Sequence, residues 1–317
     1  MGLRRAVAAL MAAALTAGCA GGSEPDPEPQ RRPPTVVSAP DGTPSAEASG
    51  TPGSRATDPV RPRSPRTAAA QIVAAELAIA DRRTSARDLT TAAHVQQLAY
   101  RELADHPGWD ARVRALLPRS LRGVAADNVA ARREFRSMHP SRPADLATEL
   151  PAWRIVAPRP ASELRRHYRD AERRYGVDWE YLAAINLVET GFGRIQGTSV
   201  AGAQGPMQFI PATWDRYGAG GDVRDPRDAI PAAARLLRDH GFADDAADAL
   251  YHYNNSTAYV RGVTLYAEVM QRRPRAYLGY HQWPIYYITR RGSILLPEGY
   301  AERRPVRVSA WLARVNR

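Results

Sequence analysis

The sequence predicts a mainly α-helical protein that carries a short β-hairpin near its C-terminal end. Between residues 68 and 270, apolar residues recur at the three- and four-residue spacing of amphipathic helices. Strand-like patterns appear only around residues 283–296. The 317 residues, 44% of them hydrophobic, suffice for one substantial domain with additional segments. We therefore expect a globular helical protein with appendages.

Residues 1–18 are typical of an export signal. Arg4 and Arg5 precede an apolar run that is too short to span a membrane, and small residues lead to Cys19. The run ending at Cys19 resembles the lipobox of bacterial lipoproteins, with Thr16 where that motif usually has Leu. The resemblance implies that Cys19 is acylated and anchors the protein to the outer face of the cell membrane. Secretion with a different cleavage is the alternative.

Residues 19–66 are rich in Pro, Ser, Thr and Gly and offer almost nothing to bury. This composition predicts a disordered tether. Such a tether reaches roughly 40 Å as a flexible coil and about 140 Å when it is stretched. An anchored protein with this reach could act on a layer outside the membrane.

Residues 67–157 are predicted to form a helical accessory region. Helical spacing runs through 68–83 and 86–104, and shorter helices are expected over 110–117 and 121–138. No catalytic motif falls in this region, and its histidines are isolated in the sequence. We expect it to pack on the next domain or to recruit a partner.

Residues 158–274 form the candidate catalytic domain. A helix is predicted from Ser162 to Tyr175, and Asp178 is the expected N-cap of the next helix, WEYLAAINLVE. Glu189 then falls in the last turn of that helix, beside its apolar stripe. Both desolvation and the negative end of the helix dipole raise the pKa of a carboxyl group placed there.

A carboxyl group that stays protonated near neutral pH can serve as a general acid. A solvated glutamate beside a glycine C-cap is the alternative from this helix alone. No Asp or Glu lies between Glu189 and Asp215. The nearest acidic cluster, Asp222, Asp225 and Asp228, is interpreted as the cap of the following helix rather than as catalytic.

Three motifs follow one another in this domain: Glu189-Thr190-Gly191-Phe192, Gly205-Pro206-Met207-Gln208 and Tyr253-Asn254. Their order and spacing resemble the signature of lytic transglycosylases with the lysozyme-like fold, over roughly residues 160–270. Two positions depart from the usual pattern, since Thr190 replaces Ser and Pro206 replaces Leu.

The resemblance implies a lysozyme-like helical catalytic domain that cleaves peptidoglycan glycan strands. Glu189 would protonate the oxygen between N-acetylmuramic acid and N-acetylglucosamine, then deprotonate the muramyl C6 hydroxyl, which closes a 1,6-anhydro ring. Residues expected to bind substrate are Thr190, Gln204, Met207, Gln208, Phe209, Tyr253 and Asn254, of which the last two orient the acid and the acetamido group.

Two alternatives remain open at this point. A muramidase of the same fold would use water as nucleophile, and a peptidoglycan-binding scaffold would lack turnover. Zinc-protease, redox and serine-hydrolase motifs are absent from the sequence, so no metal or cofactor is expected.

The net charge of +11 comes entirely from arginine, because the sequence has no lysine. Such a chain favours anionic partners. In an exported protein we expect peptidoglycan strands, anionic wall polymers and the membrane rather than nucleic acid, and a monomer.

Residues 275–317 are predicted to be a C-terminal extension. Trp283 and Tyr286 begin a hairpin that ends near Leu296 and could either extend the glycan cleft or pack in the core. In the helix from Ser256, Tyr259 and Tyr266 are expected in the core rather than the cleft. The arginine-rich end, residues 303–317, is interpreted as a solvated tail.

Overall fold

The computed structural model describes residues 59–140, 142–199 and 201–315. The mainly helical prediction is confirmed there, with helices α1 Pro65–Ala80, α2 Ala86–Asp105, α3 Asp110–Leu116, α4 Arg119–Ser137, α5 Ala161–Tyr175, α6 Trp179–Thr190, α7 Pro211–Tyr217, α8 Pro226–Asp239, α9 Ala246–Tyr253, α10 Thr257–Arg272, α11 Ala276–His281 and α12 Val308–Val315. The strands are β1 Glu149–Leu150, β2 Arg154–Ile155, β3 Ile195–Gln196, β4 Ile285–Thr289, β5 Gly292–Leu296 and β6 Val306–Arg307.

The predicted export signal, Cys19 and most of the predicted tether lie outside the described residues. Helix α1 begins at Pro65, inside the last two residues assigned to the tether. Ser64 caps it by accepting a hydrogen bond from the backbone N–H of Thr67. No described helix combines the length and the apolar character needed to cross a membrane.

One hydrophobic core joins the accessory helices to the candidate catalytic domain. Buried side chains from α1 to α4 belong to the same cluster as those of α5 to α11. Helices α4 and α6 both pack against α10. A Cβ at Gly262 of α10 would come 2.5 Å from the ring of Phe135 in α4, so this glycine allows the close helix contact.

Buried hydrogen bonds also cross between the two regions. Tyr280 donates to Asn128 Oδ1 at 2.7 Å, and the indole N–H of Trp283 donates to Gln96 Oε1 at 3.0 Å. Because a polar group left unpaired in a core is costly, these bonds fix how the accessory helices sit on α11 and on the residues after it.

Two helix N-termini test the capping predictions. Asp225 caps α8 as predicted, because its carboxylate accepts from the Arg227 backbone N–H at 2.9 Å. Asp178 occupies the N-cap position of α6, but its side chain makes no capping hydrogen bond. Glu172 accepts from the Trp179 backbone N–H at 3.1 Å instead, since the preceding helix brings this carboxylate to the helix end.

The predicted C-terminal hairpin is confirmed as antiparallel strands β4 and β5. The interpretation of residues 303–317 as a solvated tail is wrong for the described residues 306–315. Strand β6 pairs antiparallel with β1, and helix α12 follows directly. A second core cluster explains why this segment is structured, because Val308 is buried in it together with Leu150 and Tyr287.

Candidate active site

Glu189 lies in the last turn of α6, as predicted. Gly191 follows as the C-cap with a left-handed backbone, at φ 59°. A Cβ at this glycine would come 2.7 Å from Ile285 Cδ1 of strand β4. The helix end is thus held against the C-terminal hairpin, which brings the hairpin close to Glu189.

The Glu189 carboxyl is buried and only 2% exposed. The Tyr259 hydroxyl, on α10, donates a hydrogen bond to Glu189 Oε1 at 2.8 Å. Burial raises the pKa of Glu189 to about 8, while the hydrogen bond from Tyr259 lowers it less strongly. The carboxyl therefore holds its proton at neutral pH and can act as a general acid.

Glu189 faces a cavity of about 150 Å³ between the accessory helices, α6, α10 and the C-terminal hairpin. Its described lining residues are Gln97, Arg101, Arg132, Phe135, Met138, His139, Leu187, Val188, Glu189, Gly191, Ile195, Tyr259, Tyr266, Trp283, Pro284, Ile285 and Tyr286. Glu189 is the sole carboxylic acid in this set. A second carboxylate, which ordinary glycoside hydrolysis needs, is not supplied by these residues.

Thr190 joins the first motif to the second. Its hydroxyl donates to the Pro206 carbonyl at 2.7 Å and accepts from the Gly193 backbone N–H at 2.9 Å. The side chain is buried, at 1% exposed. Its contacts hold two loops together, and its expected contact with substrate stays a prediction.

The second motif forms a tight turn. Gln204 and Phe209 pair through their backbones, and Gln208 has a left-handed backbone, at φ 50°. Gln208 also donates to the Gly205 carbonyl at 3.0 Å. Met207, Gln208 and Phe209 are all buried and do not line the Glu189 cavity, whereas Gln204 lines a second cavity of about 410 Å³.

Tyr253 does not hold the Glu189 carboxyl directly. Its hydroxyl donates to the Met207 carbonyl at 2.6 Å, so it braces the second motif. Asn254 is buried, and its amide Nδ2 has no hydrogen-bond partner among the described residues. An unpaired buried donor at a motif position is available to a ligand that reaches it.

Tyr259, rather than Tyr253, makes the hydrogen bond that orients the Glu189 carboxyl. The sequence interpretation of Tyr259 as core is correct for its burial, since it is 1% exposed, but incomplete for its role. Its position follows the same helical stripe as Val263 and Tyr266, so periodicity alone could not separate it from the core. Trp283 and Tyr286, left open between cleft and core, both line the cavity.

Comparison with known proteins points to one family. The sequence pattern of the transglycosylase SLT domain matches residues 167–271. The membrane-bound lytic murein transglycosylase F of Thiobacillus denitrificans is 36% identical over 80 residues, which cover 25% of this chain and 17% of that protein. The protein of the same name from Nitrosospira multiformis is 31% identical over 124 residues, covering 37% and 26%.

The matched segment is thus a minor part of both relatives, and no solved structure matches the chain significantly. The matched residues span α5 to α10 and include Glu189, Tyr259 and all three motifs. The lysozyme-like, mainly helical fold expected for this region is confirmed with the match. Residues 167–271 of this chain are thus similar in sequence to the transglycosylase SLT domain.

Proposed function

We propose that this protein is a peptidoglycan lytic transglycosylase in which Glu189 is the only catalytic carboxyl. The observation that carries the proposal is the setting of Glu189: it is buried, its pKa is raised to about 8, and the described residues that line its cavity include no second carboxylic acid. The family of residues 167–271 and the names of the two relatives support the same activity.

The mechanism needs one group that first gives and then takes a proton. Protonated Glu189 donates to the glycosidic oxygen as the bond from that oxygen to muramyl C1 breaks. The resulting carboxylate accepts the proton of the muramyl C6 hydroxyl, whose oxygen bonds to C1. Glu189 is then protonated again, and an intramolecular nucleophile replaces water, with the advantage of proximity.

Tyr259 would orient this group through both halves of the reaction. Its hydroxyl donates to Oε1, so Oε2 is the oxygen available to the glycan. The same bond stabilises the transient carboxylate, because hydrogen bonds to an ionised acceptor are stronger than those to a neutral one.

The N-terminal sequence supports a place of action outside the membrane. A lipid anchor on Cys19 and the residue 19–66 tether would keep the enzyme outside the membrane and within reach of the wall. Radiolabelled-lipid incorporation into the full chain, lost in Cys19→Ala, tests the anchor. Unchanged incorporation in that variant would overturn it.

Replacement of Glu189 by Gln tests the acid. Gln keeps the shape of the side chain but cannot donate a carboxyl proton, so we expect release of soluble fragments from purified peptidoglycan to fall at least 100-fold. Glu180→Gln is the matched control, since Glu180 lies in the first turn of the same helix and outside the cavity. Glu189→Gln with wild-type turnover would refute the assignment.

Product analysis separates this proposal from its alternatives. Mass spectrometry of fragments released by the wild-type protein should find 1,6-anhydromuramyl ends. Reducing muramyl ends would indicate a hydrolytic muramidase, and binding without any release would indicate a scaffold.

A further inference from the structure

Two arginines of the accessory region line the same cavity as Glu189. Arg101 comes from α2 and Arg132 from α4. Arg101 is only 4% exposed, and Arg132 is partly buried. Neither arginine forms a salt bridge with a described acidic residue. The cavity thus has an acid on one wall and two cations on another.

Arg101 is held in place by neutral groups. Its Nη2 donates to Ser293 Oγ at 2.7 Å, and its guanidinium carbon lies 4.6 Å from the centre of the Tyr286 ring. Its Nε is buried and has no hydrogen-bond partner among the described residues. A stacked, oriented guanidinium with an unused donor is prepared to receive an acceptor.

The neighbouring charges do not neutralise this pair. Asp105 acts on both arginines but is exposed to solvent, where its field is screened. Arg61 is paired with Glu102, and Arg136 donates to backbone carbonyls. His139, also in the cavity wall, has its pKa lowered to about 4 by burial and by nearby arginines, so it is neutral at pH 7.

Uncompensated guanidinium groups in a buried site are costly, and they stay charged because arginine does not lose its proton in proteins. Burial, followed by repulsion from Arg132 and Arg61, lowers the pKa of Arg101 more strongly than Asp105 and Tyr286 raise it. A bound anion would relieve this cost, and a carboxylate matches the fork of donors on a guanidinium.

We infer that Arg101 and Arg132 form a carboxylate-binding subsite that holds an acidic group of the glycan substrate while Glu189 acts on the glycosidic bond. This inference rests on the proposed function, because a muramyl sugar is the part of the strand that carries carboxylates. The carboxylate is either that of the lactyl ether, free where the strand has no peptide, or one belonging to the peptide stem.

Binding to a protein that cannot turn over tests the subsite. Calorimetry on Glu189→Gln would compare a peptide-free glycan fragment, its lactyl methyl ester and a peptide-bearing fragment. We expect the ester to bind about tenfold more weakly than at least one of the two carboxylate forms, the scale of a hydrogen bond to a charged group. The carboxylate form that binds more tightly identifies the source.

Arg132→Gln in the same background should remove this tenfold preference, and Arg132→Lys should keep part of it. Arg119→Gln is the matched control, because the substitution removes the same charge from the same helix. Arg119 is the first residue of α4 and lies outside the cavity. It should leave the preference intact.

Equal binding of ester and carboxylates would overturn the subsite, as would an undiminished preference in Arg132→Gln or no binding of any fragment. Failure of the proposed function has a different signature, namely the absence of anhydro ends in products of the wild-type protein. A preference for the carboxylate in a protein that makes no anhydro ends would sustain the subsite and refute the reaction.

Discussion

At the scale of single residues, the proposed chemistry depends on the pair Glu189 and Tyr259. Burial keeps the carboxyl protonated, and the tyrosine fixes one oxygen while limiting how far the pKa rises. The two effects oppose each other, so the acid is neither too strong to keep its proton nor too weak to release it.

Tyr259→Phe should shift the pH dependence of activity. Without its hydroxyl the carboxylate loses a stabilising donor, so the pKa of Glu189 rises above about 8. Since the reaction needs protonated Glu189, the fall of kcat/KM at high pH should move to higher pH. Loss of orientation should also lower kcat about tenfold. A pH profile of fragment release measures both.

Tyr253→Phe provides the comparison. Its hydroxyl donates to the Met207 carbonyl, so its loss should weaken the second motif. The pH at which kcat/KM falls on the alkaline side should not change. If the alkaline fall of kcat/KM shifted in Tyr253→Phe but not in Tyr259→Phe, the assignment of Tyr259 as the positioning tyrosine would be contradicted.

The position of Glu189 in the last turn of a helix could be predicted from sequence, because it is a local property. Tyr259 could not, because its contact with Glu189 joins residues 70 positions apart in the chain. A tyrosine that packs and a tyrosine that packs while donating to an acid have the same helical spacing.

At the scale of elements, the loop after β3 contains two glycines, Gly202 and Gly205, whose surroundings differ. Both glycines have left-handed backbones, at φ 81° and 73°. A Cβ at Gly205 would lie 1.8 Å from the Val223 carbonyl oxygen, whereas one at Gly202 would meet nothing within 4 Å. The same backbone conformation thus occurs with and without close packing.

The two alanine substitutions should therefore differ in cost. Gly202→Ala should destabilise the fold only by the strain of an alanine in the left-handed conformation, about 1–2 kcal/mol. Gly205→Ala adds a clash with rigid backbone and should cost ~3 kcal/mol or more. Chemical denaturation of both variants measures the difference, and equal costs would show that Val223 does not approach Gly205 this closely.

The longer helices were predictable because their periodicity is visible over ten or more residues, whereas α7, α9, α11 and α12 are too short to show it. The two-residue strands β1, β2, β3 and β6 were not, because two residues cannot show an alternating pattern. The C-terminal segment was misread for the same reason: its arginines suggested a solvated surface, while its order depends on pairing with distant β1.

At the scale of the whole molecule, the accessory region is part of the site. Its helices share the main core with the SLT domain and supply Arg101, Arg132 and Phe135 to the cavity of Glu189. The sequence indicated a separate region without motifs, because residues that complete a site through long-range packing carry no local signal.

Removing the accessory region should therefore prevent folding. A chain that begins at residue 158 would expose the faces of α10 and α11 that α4 and α2 cover. We expect it to lose the cooperative thermal transition, whereas a chain that begins at residue 59 should keep it. A shorter chain that unfolds cooperatively would establish that the catalytic domain folds alone.

Direct titration of Glu189 tests whether this carboxyl is protonated at neutral pH. Carbon-13 NMR of glutamate-labelled protein, with Glu189→Gln used to assign the signal, reports ionisation of the side-chain carboxyl. A midpoint near pH 8 is predicted. A midpoint near the ordinary 4.5 would mean that the carboxyl is ionised at neutral pH, and would contradict its role as the general acid.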